Sequence, residues 1–112
     1  MADLEKYRAF IKELIINRSK NKYANNPLEK QPVFDSERDR YLLMVTGFEG
    51  IKRYDYALVD VEIRKPSKFW IHYDGLEDGV ANYLLEKGVP KQDIVLAFYS
   101  PEKRKLTEFA VA

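Results

Sequence analysis

The chain has 112 residues, and its 19 lysines and arginines against 18 aspartates and glutamates give a formal net charge of +1, so no global field draws it to nucleic acid or anionic lipid. A composition of 46% hydrophobic and 33% charged residues argues against disorder and for a single globular domain, residues 1–112, burying about two-thirds of its unfolded surface. Zero cysteines exclude disulfides, thiolate nucleophiles and cysteine-based metal sites, and a single histidine, His72, removes most of the remaining metal and Ser-His chemistry.

The N-terminus, Met1-Ala2-Asp3-Leu4-Glu5-Lys6, has no basic-then-apolar signal pattern. No apolar run approaches the roughly 20 residues that span a bilayer, so a cytoplasmic protein without membrane contact is expected. Leu4, Tyr7, Ile11, Leu14 and Ile15 recur at helical spacing, with Asp3 as the cap and an end near Asn17. Arg18, Lys20 and Lys22 extend it as a solvated, dipole-favoured basic face. Asn25-Asn26-Pro27 breaks the chain, and residues 19–31 are expected as a loop.

Pro32-Val33-Phe34-Asp35 reads as a short extended segment leading into the charged run Ser36-Glu37-Arg38-Asp39-Arg40. Tyr41 to Phe48 is apolar on both parities, the pattern of a central strand covered on both faces. After the Glu49-Gly50 turn, Ile51 to Arg64 forms a long second strand with Val59, Val61 and Ile63 on its buried side. Lys65-Pro66-Ser67-Lys68 connects to a third strand, Phe69 to Tyr73. Asp74 and Glu77 have capping-box spacing and predict a helix starting there, with Leu76, Val80, Tyr83 and Leu84 buried, Gly88 as its left-handed cap and Pro90 as its stop. Ile94 to Phe98 is a fourth strand, reached by a connection long enough for parallel pairing. Pro101 opens a short helix through Lys105, and Thr107 to Ala112 closes the chain. The predicted class is α+β, in the order α-β-β-β-α-β-α, a mainly antiparallel sheet packed against helices. The fifteen aromatic residues, eight Tyr, six Phe and one Trp, suit such a half-buried sheet.

Laid out this way, the chain resembles the XisI family, the fdxN element excision controlling factors of cyanobacteria. The resemblance runs from Tyr7-Arg8 to Phe109-Ala110-Val111-Ala112. It is carried most specifically by Val33-Phe34-Asp35, Glu37 through Met44, Trp70-Ile71, Asp74-Gly75, Gly79, and Gly88-Val89-Pro90-Lys91 with Asp93 through Phe98. The chain departs from the family pattern at Phe48, His72 and Leu76, where Trp, Gln and Thr are expected. The resemblance implies a non-enzymatic accessory factor. With an XisH-like partner, and through a site-specific recombinase, such a factor permits excision of a DNA element during heterocyst differentiation. It carries no residue-level assignment, no cofactor and no catalytic site.

Three constellations are candidates from the residues themselves. Asp35, Glu37, Arg38, Asp39 and Arg40 are either a partner-binding cluster, through bidentate arginine contacts, or an internal ion-pair network. Their acids Asp35 and Asp39 also support an opposing reading as a nuclease-related hydrolase. His72 with Asp74, Glu77 and Asp78 invites a metal or acid-base reading, but capping already accounts for Asp74 and Glu77, and no metal is assigned. Lys103, Arg104 and Lys105, joined in space by Arg64, Lys65 and Lys68, are the candidate nucleic-acid contact, although no DNA-binding motif accompanies them and DNA is expected to be met indirectly. Tyr54, Tyr56 and Trp70 are candidate walls of a small-ligand module, or part of a flat face for a homodimer.

Overall fold

The computed structural model describes residues 4–20 and 27–112. The Asp3 cap, Lys22, and the break at Asn25 and Asn26 lie outside the described residues. The elements are α1 (Leu4–Ser19), β1 (Glu29–Asp35), β2 (Arg40–Glu49), β3 (Lys52–Arg64), β4 (Lys68–Asp74), α2 (Val80–Glu86), a single 3-10 turn (Lys91–Asp93), β5 (Ile94–Leu96) and α3 (Pro101–Arg104). One sheet contains all five strands in the order β1-β2-β3-β4-β5. The first four pair antiparallel and β5 joins β4 in parallel. The predicted α+β class and order are found once the extended segment before Ser36 counts as β1. Residues 19–31 are not simply a loop: Ser19 still belongs to α1, and Glu29, Lys30 and Gln31 open the edge strand.

The core lies between α1, α2 and one face of the sheet. Tyr7, Ile11, Leu14 and Ile15 form a buried stripe on α1. They pack with Tyr41, Leu43, Val59, Val61, Ile63, Phe69 and Ile71 from the sheet and Val80 and Leu84 from α2. The rings of Tyr7 and Phe69 stack at 4.9 Å, which ties the first turn of α1 to the start of β4, and burying a side chain such as Ile11 contributes about 2 kcal/mol. The other face of β2 corrects an expectation, because Leu42 and Met44 are only half-buried. Coverage on both sides needs helices on both sides, and the cluster around α1 takes only the Tyr41, Leu43 and Val45 side.

The start of α2 is also corrected. The helix begins at Val80, not at Asp74, because Gly79 just before it has φ of 86°, a left-handed conformation no helix continues through. Asp74 still caps, over a longer reach, with its carboxylate accepting from Leu76 N at 3.1 Å and Val80 N at 2.7 Å. Leu76 packs against the core and Glu77 is exposed. The other end matches expectation: Gly88 has φ of 93°, and Val89 N donates back to Leu84 O at 3.0 Å. The fourth strand is shorter than Ile94 to Phe98, ending at Leu96. Ser100 caps α3 by accepting from Lys103 N, Lys105 lies just past its end, and Ala110 is buried against β5 through a parallel bridge to Val95.

Candidate functional site

The charged turn between β1 and β2 does not form one cluster. Asp35 accepts from the backbone N–H groups of Glu37 and Arg38, at 3.0 and 3.1 Å, and pairs with the Arg38 side chain. These contacts, the Arg38 backbone foremost, hold its carboxyl below the usual carboxylate range. Glu37 and Arg38 face solvent. Asp39, with φ of 51°, turns to the helix side. There Arg8 donates to both its oxygens, at 2.7 and 2.8 Å, and the Tyr41 hydroxyl donates at 2.8 Å. The Arg8 guanidinium keeps Asp39 ionised against the opposing effect of burial, while burial and then Asp39 push the Tyr41 hydroxyl up to about 12. The backbone of Asp39 also accepts from Ile63 N, locking the turn onto β3.

Arg40 points to the opposite face. Its guanidinium grips Asp60 in a bidentate pair at 2.6 and 2.9 Å and comes within 3.8 Å of Glu62. Burial acts to raise Glu62, but His72, donating through Nε2 at 2.8 Å, and Arg64 at 3.2 Å outweigh it and leave the carboxyl low. The result is a cross-strand ladder, Arg40-Asp60 and Glu62-His72-Arg64, on the face away from α1. Next to it Val33, Asp35, Arg38, Arg40, Leu42 and Glu62 line a cavity of about 300 Å³. Asp35 and Arg40 therefore meet at this cavity, whereas Asp39 is committed on the other side of the sheet. The two acids of the hydrolase reading do not converge on one point.

The acids near His72 are likewise separated. His72 meets Glu62, Asp74 caps α2, Asp78 pairs with Arg18, and Glu77 is exposed. No group of three or more potential metal ligands occurs among the described residues. The basic set is only partly assembled. The Arg64 and Arg104 guanidinium groups lie 3.9 and 5.3 Å from the centre of the Trp70 ring, and Arg104 also donates to the carbonyls of Tyr99 and Ala97, at 3.0 and 3.2 Å. Lys103 covers the Tyr99 ring at 4.3 Å, Lys68 donates to the Ala112 oxygen at 2.6 Å, and Lys105 is exposed. Arg104 thus secures α3 to β4, a role the bare basic run does not disclose. Tyr54 and Tyr56 meet edge to face on β3 opposite Gly47 and Val45, whereas Trp70 lies opposite Glu62. The three do not wall one pocket.

Two partnerships were not apparent from the residues: Arg8 with Asp39, 31 positions apart, and Arg40 with Asp60, 20 positions apart. The second was within reach of parity, since Asp60, Glu62 and Arg64 share one side of a strand antiparallel to the one that carries Arg40.

Comparison with known proteins adds what the geometry lacks. The family model described as XisI protein matches residues 1–111. The structure superimposes on the fdxN element excision controlling factor XisI from Anabaena variabilis with a TM-score of 0.82 at 33% identity, covering 97% of this chain and 98% of that one. A XisI-like protein from the same organism gives a TM-score of 0.89 at 31% identity, covering 98% and 100% respectively. No curated protein matches the chain. With a match of this length in both sequence and fold, the chain belongs to the XisI protein family.

Proposed function

We propose that this protein is a non-enzymatic accessory factor that regulates excision of a DNA element from the cytoplasm, acting beside an XisH-like partner and a site-specific recombinase. The observation that carries the reading is the likeness to an excision controlling factor over 97% of the chain at 33% identity. It is supported by the placement of the carboxylates that the hydrolase reading needs: Asp35 and Asp39 lie on opposite sides of the sheet, and each is held by an arginine and, for Asp35, by backbone N–H groups, so these two do not converge on one point. The partner meets the turn between β1 and β2, where Glu37 and Arg38 present charge outward on a backbone fixed by Asp35 and Asp39. DNA is reached through the partner, with Lys103 and Lys105 at most a peripheral contact.

Co-expression with the XisH-like protein tests this reading. A complex is expected to co-purify, and Arg38→Glu is expected to weaken it while the melting temperature stays unchanged. If Arg38→Glu lowers only the melting temperature and leaves the complex intact, the turn is not the contact. Magnesium-dependent cleavage of DNA by this protein alone, lost in Asp35→Asn, overturns the accessory reading as a whole.

A further inference from the structure

The face of β1, β2 and β3 that points away from α1 carries a knob at one end and a hollow at the other. We propose that a second copy of this chain covers it. The two sheets lie face to face with their β2 strands antiparallel, so that the hairpin tip of each copy sits in the cavity of the other.

Strand parity sets up this surface. Tyr41, Leu43 and Val45 are buried on the α1 side, so Arg40, Leu42, Met44, Thr46 and Phe48 share the open side. Pairing places Val33 beside Leu42, and Arg53 beside Phe48. At one end Val33 and Leu42 line the 300 Å³ cavity together with the charged Asp35, Arg38, Arg40 and Glu62. At the other end Phe48 is 54% exposed, and Ile51 at the turn is 101% exposed. The Arg53 guanidinium lies 5.2 Å over the Phe48 ring.

Leu42 and Phe48 are six residues apart on one strand, about 20 Å. A two-fold axis across the strands between Met44 and Thr46 therefore exchanges them. It brings Phe48 of one copy onto Val33 and Leu42 of the other, and Arg53 toward Asp60 and Glu62.

Charge permits this placement. Arg53 makes no salt bridge among the described residues, and Asp60 and Glu62, although already paired with Arg40, Arg64 and His72, keep lone pairs for a further guanidinium. Area permits it as well. Ten residues of β2 across three strands give a flat footprint of about 33 by 14 Å, about 460 Å², to which side-chain relief adds, placing the contact at the small end of specific interfaces, about 600 Å² per partner. Because knob and hollow lie on the same face and two-fold symmetry exchanges them, association closes at a dimer and leaves no free end.

The test uses the full chain in sedimentation equilibrium. The unaltered protein is expected to be a dimer in the micromolar range, and Phe48→Asp to raise its dissociation constant by roughly 1,000-fold, since symmetry removes a hot-spot side chain of about 30-fold from each copy. Arg53→Glu, on the same exposed tip, is expected to act in the same direction, which guards against a fault particular to one variant. The chain has no cysteine, so Leu42→Cys with Phe48→Cys supplies a direct readout. On oxidation the double variant is expected to form a covalent dimer, since the two positions within one chain are far beyond the roughly 7 Å limit for a disulfide, and each single variant none, since position 42 faces position 48 of the other copy and not itself. A monomer at these concentrations overturns the proposal. So does a dimer indifferent to both tip variants, equal cross-linking of the single variants, or an open face that becomes protected only when an XisH-like protein is added.

Discussion

Asp39 joins the first helix, the first hairpin and the core. Its carboxylate takes both arms of Arg8 and the Tyr41 hydroxyl, with only 17% of its side chain exposed. Replacement by alanine leaves a half-buried guanidinium and a buried phenol short of an acceptor, and is expected to cost about 2 kcal/mol in urea unfolding. The pH dependence has a definite sign. Because Arg8 holds the folded-state carboxyl below its ordinary value, the contribution is complete above the unfolded value near 4 and drains away as pH falls through the lower folded value. Asp39→Asn should therefore be less stable than the unaltered protein at pH 7 and show a shallower loss of stability on acidification. Equal acid slopes in the two proteins would sink this account. Tyrosines act at the other limit. Burial first, then Asp93 for Tyr7 and Asp39 for Tyr41, raises both hydroxyls to about 12. A raised value means stability present below the ordinary pKa near 10 and lost between there and 12. Alkaline titration followed at the tyrosinate absorbance should show part of the absorbance appearing only well above pH 10, together with unfolding. A single step near pH 10 with the fold intact contradicts it.

At the scale of elements, legibility followed the range of the interaction that fixes each one. The body of α1 is plain from the spacing of Tyr7, Ile11, Leu14 and Ile15 because a helix face is a local property. The long hairpin is plain because β3 alternates Val59, Val61 and Ile63 with charged neighbours. The two sides of β2 are not told apart by the strand itself, because Leu42 and Met44 are as apolar as Leu43 and Val45 and nothing local marks the side α1 covers. The start of α2 is obscured for a different reason. Asp74 and Glu77 have the spacing of a local capping box, yet the structure uses only Asp74, and across six residues. This difference can be measured. Asp74→Ala is expected to cost about 1 kcal/mol, the typical worth of a helix cap, and Glu77→Ala to be neutral within about 0.5 kcal/mol. Equal losses would restore the local box. The candidate site was legible as residue types but not as groupings: the run from Asp35 to Arg40 alternates sides of the sheet, so neighbours in sequence serve opposite faces, and their partners Arg8, Asp60 and Glu62 come from elsewhere.

For the whole molecule, the C-terminal segment determines whether β5 is an edge or an interior strand. β5 is only three residues long and pairs with β4 on one side, so without cover its other side would expose unpaired backbone and the Val95 side chain. Residues after α3 supply that cover. Ala110 N donates to Ile94 O at 2.9 Å and to Lys91 O at 3.2 Å, Ala110 bridges Val95 in parallel, and Phe109 packs against the core cluster. Val111, at 43% exposure, already faces out. The apolar stretch from Phe109 is thus divided, with its first two residues docked and the next one on the surface. Removing Phe109 through Ala112 takes away a partly buried ring and the backbone hydrogen bond that the Ala110 N–H shares between Ile94 O and Lys91 O. The expected cost is about 3 kcal/mol, seen as a melting temperature lower by about 10 °C or more, with hydrogen exchange accelerated at Ile94 and Val95. Replacing Val111 alone by Ser is expected to leave the melting temperature unchanged within about 2 °C, because that side chain packs on little. If the four-residue deletion leaves stability intact and abolishes only partner binding, the segment is a contact surface and not the last piece of the sheet.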